Sequence, residues 1–426
     1  MEKFEIRGGK SLNGVIKPQG NKNEALPAIA ACLLTDKAVT LRNVPDILDV
    51  RIMLQIMKSL GARVDRLKPN SYRIQCDHLK SSEPDREQCG TLRAAILLAG
   101  SLLSRSRSVV LPPPGGDVIG RRRLDDHFLA FESLGVRVSE IKESFVLEHD
   151  GLKGADIFFE QQSVTATENA LMAAVLAEGE TVLSNAACEP HVKGLSQMLI
   201  NMGADIQGLG TNILHIKGVE SLSGTEHTIG SDLLEIGGYI VLAAITKSEI
   251  TIQDTVPEEI RVIDSTYRKL GIRYLISEKE LTVPADQHLM IKPDFAGDIP
   301  KIDDGTWPAF PTDLMSMVIV AATQSTGTAL FFEKMYDGRM FFTDHLIGMG
   351  ARIVLCDPHR VVVVGPSTLY GTTVHSPDIR AGMALVIAAL CAKGKTSIYN
   401  IRQIDRGYED LEGKLQSLGA DIKRVV

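Results

Sequence analysis

Short polar clusters rich in arginine and glycine punctuate this 426-residue chain, and their residue types suit the binding of a small, multiply charged anion. They are Gly20-Asn21-Lys22-Asn23-Glu24, Arg93 just after Thr91, Pro311-Thr312-Asp313, Tyr336-Asp337-Gly338-Arg339, Asp378-Ile379-Arg380 and Ile404-Asp405-Arg406-Gly407-Tyr408. A glycine-rich run, Gly115-Gly116-Asp117-Val118-Ile119-Gly120, leads into Arg121-Arg122-Arg123. The guanidinium fork grips phosphate and carboxylate with paired hydrogen bonds, and a lysine adds a compact positive charge. Taken singly, each has an ordinary explanation. An arginine at a helix end is more often a solvated charge, three arginines in a row also describe an exposed loop, and Asp313 or Asp378 could simply cap a helix.

What lifts the set is recurrence at one phase of an internal repeat. The phrases Leu60-Gly61-Ala62, Leu134-Gly135-Val136, Met202-Gly203-Ala204, Leu270-Gly271-Ile272, Met349-Gly350-Ala351 and Leu418-Gly419-Ala420 are spaced 68 to 79 residues apart. Apolar runs keep the same beat, beginning near Asn23, Thr91, Thr167, Asp232, Asp313 and Asp378. In the third copy, Thr167-Glu168-Asn169 reads as a helix start before Ala170–Ala177. Thr181-Val182-Leu183 then reads as a strand, a second helix carries Leu195, Met198, Leu199 and Met202, and a hairpin closes around Gly208 and Gly210. The first helix of each copy is apolar nearly all round, so it must be buried. Three such helices packed in parallel inside a shell of sheets aim their N-termini, with free N–H groups and partial positive charge, at one anion-collecting face.

Length favours two or three domains, and six copies divide naturally into two groups of three. A net charge of −7 and an aromatic content of 5% argue against nucleic-acid binding. No apolar stretch approaches the roughly 18 to 20 residues that span a bilayer, and the N-terminus lacks a signal-peptide core. The six cysteines show no metal-ligand spacing and read as reduced thiols of a cytoplasmic protein, with Cys32 and Cys391 in the core. No metal site, cofactor or obligate protein partner is called for.

At these residues the chain resembles the enolpyruvyl transferases along its whole length, most of all the branch that uses UDP-N-acetylglucosamine as acceptor. Asn21-Lys22-Asn23-Glu24-Ala25-Leu26-Pro27, Pro311-Thr312-Asp313 and Ile404-Asp405-Arg406-Gly407-Tyr408-Glu409 carry the likeness. The resemblance implies an α/β fold of two inside-out, barrel-like domains, each of three βαβαββ repeats. It places the first domain at 21–230, with a mobile loop near 113–123, the second at 1–20 plus 231–426, and the active site in the cleft between them. It implies transfer of the enolpyruvyl group of phosphoenolpyruvate to the 3-hydroxyl of the nucleotide sugar, by addition and elimination, as the first committed step of peptidoglycan synthesis. Lys22, Arg122 and Arg406 match the phosphoenolpyruvate set, with Arg93, Arg339 and Arg380 in support. Lys22, Asp117, Asp313 and Arg406 are the implied catalytic group, Asp313 being the base at the acceptor hydroxyl. Asn23 and Asp313 match contacts to the sugar, and Arg122, Asp125, His127, Ser163, Val164 and Thr165 match the nucleotide side.

The phosphoenolpyruvate set is intact, whereas the acceptor side departs from the family pattern at Arg123, Gln161 and Leu233, and Asp337-Gly338 replaces a Glu-Asn pair. Two other readings therefore stand beside the first: the same transfer to a different nucleotide or nucleotide-sugar acceptor, or a catalytically silent nucleotide-sugar-binding paralogue. Transfer to 3-phosphoshikimate fits the Asn-Lys-Asn-Glu start and Asp-Arg-Gly-Tyr end poorly. Asp117 stands where the family loop usually has cysteine, and a carboxylate cannot act as a thiolate. Incubation with fosfomycin, an epoxide that alkylates that cysteine, is expected to leave the intact mass unchanged; a covalent adduct on a loop residue would contradict this.

Overall fold

The recurring glycine phrases mark helix ends. In all six the glycine has a positive φ, between 80° and 111°, a region that side-chain-bearing residues avoid. The next residue's N–H then reaches back over the helix end: Ala62 to Met57 O, Val136 to Phe131 O, Ala204 to Leu199 O, Ile272 to Tyr267 O, Ala351 to Leu346 O and Ala420 to Leu415 O. This closes the orphan carbonyls of the last turn. The residue before each glycine is buried, which ties the end of each outer helix to the core.

The computed structural model describes residues 2–117 and 119–426. Val118 of the glycine-rich run lies outside them. Two compact bodies are present: residues 20–117 with 122–230, and residues 2–19, 119–121 and 231–426. Residues 119–121 fall in the second body because Gly338 N–H donates to Ile119 O at 3.0 Å.

In the first body the third repeat is complete: Asp156–Phe158, helix Val164–Ala174, Glu180–Ser184, helix Pro190–Asn201, Asp205–Gln207 and Ile213–Lys217. Its strands form one sheet, in which Asp156–Phe158 is parallel to Glu180–Ser184 and the others are antiparallel. The first repeat borrows its leading strand, Glu226–Thr228, from the end of the same body, parallel to Val39–Arg42. The second repeat departs from βαβαββ. Its sheet has three strands, and the leading position is held by one hydrogen bond from Val110 N–H to Ser82 O at 3.3 Å. In the second body, Asn13–Ile16 leads the fourth repeat, parallel to Glu249–Gln253. Lys3–Arg7 lies between Lys395–Tyr399 and Asp421–Val425 and completes the sheet of the sixth.

Each body has its own core around three inner helices. Every residue of Leu233–Ile245 is buried, and Met315–Gln324 and Ile379–Cys391 are buried except at their last residue. Cys391 is that last residue and only half-buried, unlike the fully buried Cys32, so one of the two expected core thiols sits at the core's edge. The third inner helix begins a turn earlier than Thr167. Ser163 is its cap, accepting from Ala166 N–H at 3.3 Å, and Thr167, Glu168 and Asn169 lie buried within the helix. The second inner helix opens as a 3-10 turn, Arg93–Leu97, before the α-helix Leu98–Leu103.

Small residues let these helices approach. A Cβ on Gly100 would stand 2.4 Å from the backbone oxygen of Asn169 on the neighbouring helix. Gly100→Ala is accordingly expected to cost about 1–3 kcal/mol by overpacking, measured as a lowered urea midpoint at constant slope; an unchanged midpoint would contradict this packing.

Candidate active site

In the second body, three inner-helix N-termini bring charged groups together. Pro311 fixes the chain before the 3-10 turn Thr312–Leu314, which opens the helix Met315–Gln324 and carries Asp313. One carboxylate oxygen of Asp313 pairs with Arg339 Nη2 at 2.9 Å, the other with Arg380 Nε at 3.2 Å. The two arginine side chains are 3% and 7% exposed, against 27% for Asp313, so the carboxylate is the accessible tip of a buried clamp. Arg380 follows Asp378, which caps its helix by accepting from the N–H groups of Arg380 and Ala381. The cap reading thus describes Asp378, while Asp313 is held by arginines.

Arg380 Nη1 donates to Tyr408 Oη at 3.2 Å. Burial works against its charge, yet Tyr408, Asp313 and Asp232 together raise its pKa above the usual arginine value. Asp232 caps the remaining inner helix, and burial raises its pKa against the lowering pull of Arg380. Gln19 binds this corner to the last repeat, donating to Gly407 O at 2.6 Å and accepting from Glu409 N–H at 2.7 Å. Arg406, beside them, is half-buried and donates to Gln403 Oε1 at 3.0 Å.

In the first body, Asn21 caps the helix Lys22–Ala31 by accepting from Asn23 N–H at 2.8 Å. Lys22 Nζ lies 2.7 Å from the buried carboxylate of Asp49. Arg93 Nη2 donates to the carbonyls of Arg122 and Arg123, at 2.9 and 3.1 Å, and so shapes the end of the glycine-rich loop. Asp117 and Arg122 are both half-buried. Arg123 pairs with Asp125 at 3.0 Å and with Glu160 at 3.3 Å.

His127 is 1% exposed. Asn169 accepts from Gly100 N–H and donates to Ile96 O, which orients its amide, so its Nδ2 also donates to His127 Nδ1. His127 Nε2–H therefore points at Thr165 Oγ1, 3.0 Å away. Burial, reinforced by the charge of Arg93, lowers this imidazole's pKa to about 3. His127 is thereby tied to the start of the third inner helix through Thr165. Ser163, Val164 and Thr165 form the start of that inner helix.

The structure brings Asp313, Arg339 and Arg380 into direct contact within the second body. Within the first, it links Arg93 to Arg122 and Arg123, and His127 to Thr165. Sequence reasoning missed Asp49, the buried partner of Lys22, and Glu333 with Asp304, which lie behind Arg339. An acidic residue closing the strand phrase Leu330-Phe331-Phe332-Glu333 was the available signal for Glu333. A cavity of about 560 Å³ opens elsewhere, at the C-terminal ends of the first body's inner helices, among Arg105, Arg107, His149 and Glu178, away from all of these groups.

An inside-out fold with arginine-clamped acid at its helix starts defines a class: the chain belongs to the EPSP synthase (3-phosphoshikimate 1-carboxyvinyltransferase) family, which matches residues 6–415. Among its relatives, a UDP-N-acetylglucosamine 1-carboxyvinyltransferase of Treponema denticola is 52% identical over 423 residues, 99% of each chain. Another of the same name, from Borreliella burgdorferi, is 51% identical over 425 residues, 100% of this chain and 99% of that protein. The fold matches that of the enolpyruvyl transferase NikO from Streptomyces tendae, with a TM-score of 0.87 at 22% identity, covering 100% of this chain and 99% of that one. EPSP synthase from Acinetobacter baumannii aligns with a TM-score of 0.76 at 17% identity over 100% of both chains.

The neutral His127 has a consequence for stability. Its folded pKa lies below the unfolded value near 6.5, so the unfolded chain binds the extra proton; stability is whole above that value and falls as pH drops toward about 3. At pH 5 the loss is about 2 kcal/mol. Urea unfolding of His127→Gln is expected to show a smaller drop between pH 7 and pH 5 than the parent; equal drops would contradict the buried neutral ring.

Proposed function

We propose that this protein transfers the enolpyruvyl group of phosphoenolpyruvate to the 3-hydroxyl of UDP-N-acetylglucosamine and releases phosphate. The observation that carries the reading is the accessible carboxylate of Asp313 held between two buried guanidinium groups. Relatives about half identical over the full length carry the name of that reaction, which supports the choice of acceptor.

In this reading the half-sets of the two bodies act on one pair of substrates, in a cleft that closes about hinges near Gly20 and Gly230. Lys22, Arg122 and Arg406 hold the phosphate and carboxylate, with Arg93, Arg339 and Arg380 in support, offsetting charge without a metal. Asp313 accepts the proton of the acceptor hydroxyl as its oxygen bonds to the central carbon of phosphoenolpyruvate. Asp117 delivers a proton to the methylene carbon, giving a tetrahedral ketal. Loss of a proton from that carbon and departure of phosphate restore the double bond. The cytoplasm is the proposed location; free cysteines and the lack, among the described residues, of a helix long and apolar enough to cross a membrane support it.

One observation favours a different nucleotide or nucleotide sugar as acceptor. Asp125, matched to the nucleotide side, is occupied by Arg123, and Gln161 follows Glu160 where a lysine is usual. Phosphate release from phosphoenolpyruvate against a panel of acceptors tests both readings, and turnover is expected with UDP-N-acetylglucosamine. Turnover only with another acceptor would favour the second reading, and none with any would favour the silent paralogue. Asp313→Asn keeps the shape between the arginines and is expected to lower kcat by about 10²–10⁴-fold while still melting cooperatively, at a lowered midpoint because two buried guanidinium groups lose their counter-charge. Loss of the fold together with the rate would make Asp313 a structural residue instead.

A further inference from the structure

Behind the Asp313 clamp lies a second acidic group that the proposed reaction does not use. Glu333 is fully buried and Asp304 is 1% exposed. Glu333 accepts from Thr312 Oγ1 with both oxygens at 2.9 Å, and its Oε1 also accepts from the N–H groups of Met335 and Tyr336 at 3.1 Å. Asp304 Oδ1 accepts from Lys334 N–H at 2.6 Å. Its Oδ2 is buried and receives no donor from the protein, and because Asp304 N–H also donates to Phe332 O at 3.4 Å, its carboxylate lies alongside Glu333, the residue between Phe332 and Lys334. Two carboxylates side by side and shielded from water disfavour double ionisation, so one of them holds a proton.

We propose that Asp304 and Glu333 share one proton, and that this half-neutralised pair is a positioning device that assigns Arg339 to Asp313. The connections run along two routes. Thr312, which donates to Glu333, directly precedes Asp313. Arg339 donates to Asp313 through Nη2, while its Nε, buried and without a hydrogen-bond partner, faces Glu333 Oε2 at 3.8 Å. With the proton in place, Glu333 is a weak competitor and the guanidinium stays on Asp313. With it removed, the full charge on Glu333 draws Nε in and turns the guanidinium away from Asp313.

Burial and then the Asp304 contact raise the Glu333 pKa well above the usual carboxylate range, against the opposing pull of Arg339. The other charged or titratable groups around the pair are Asp303 with Lys301 and Lys334, Asp337 with His359, Asp313 and Asp378, Arg380, and Tyr336. His359 Nδ1 also meets the Glu333 carbonyl at 2.8 Å.

The inference rests on the proposed transfer for its kinetic readout and on infrared spectroscopy for one that needs no substrate. The parent protein is expected to show a protonated-carboxyl stretch that vanishes at alkaline pH, with a fall in kcat over the same range. Glu333→Gln offers Asp304 Oδ2 an N–H and mimics the protonated pair, so both that band and the alkaline fall in kcat are expected to disappear. Asp304→Asn donates to Glu333 instead and removes its like charge, moving the alkaline limb down by at least about one pH unit. Thermal melts of both variants identify any that fail to fold, and Asp304→Glu, which restores the acid, is expected to recover a raised limb. A parent without the band, or two folded variants with the parent's pH profile, would overturn the inference even if turnover is seen. If no acceptor turns over, the infrared band still decides it.

Discussion

Inner helices buried on nearly every side impose the main constraint on this chain. Leu233–Ile245 can be removed from water only by surrounding it, and the sheets of each body do so. Polar groups are then confined largely to the helix starts, where free N–H groups need acceptors and charged side chains can pair with one another. Asp232, Asp313, Asp378 and Arg380 all stand there. The arginine clamp on Asp313 follows from that geometry, since no single helix start could supply an acid and two guanidinium groups together.

Charge at these starts is balanced by pairing. Asp313 divides its carboxylate between Arg339 and Arg380, and Lys22 sits on Asp49. Such buried pairs are costly to break, because removing one partner strands the other in a low-dielectric interior. In the proposed reaction an anionic substrate enters by offering these cations an equivalent acceptor, which would favour phosphate and carboxylate over neutral ligands.

Much of this was readable from the residues. The Leu-Gly-Ala phrases reported helix ends because few residues other than glycine tolerate a positive φ there. Asp313, Arg339 and Arg380 stood out because their types and repeat phase both pointed to anions. The misplaced start at Thr167 has a definite cause: Thr167, Glu168 and Asn169 look like capping residues. Thr167 is instead held by Ser163 O and Ala187 N–H, and Asn169 by Ile96 and Gly100, partners that local sequence cannot show. Asp49, Glu333 and Asp304 escaped for the same reason. Three-residue leading strands such as Asp156–Phe158 are too short to display a period of two.

In the proposed reaction both bodies supply cations to one substrate. A crystal structure with phosphoenolpyruvate and a non-reacting analogue of the nucleotide sugar tests this directly. The predicted result has Lys22 and Arg122 of the first body, and Arg406 of the second, all in contact with the same phosphoenolpyruvate, with Asp313 beside the acceptor hydroxyl. Phosphoenolpyruvate held by residues of one body alone, with Asp313 remote from the acceptor, would contradict it.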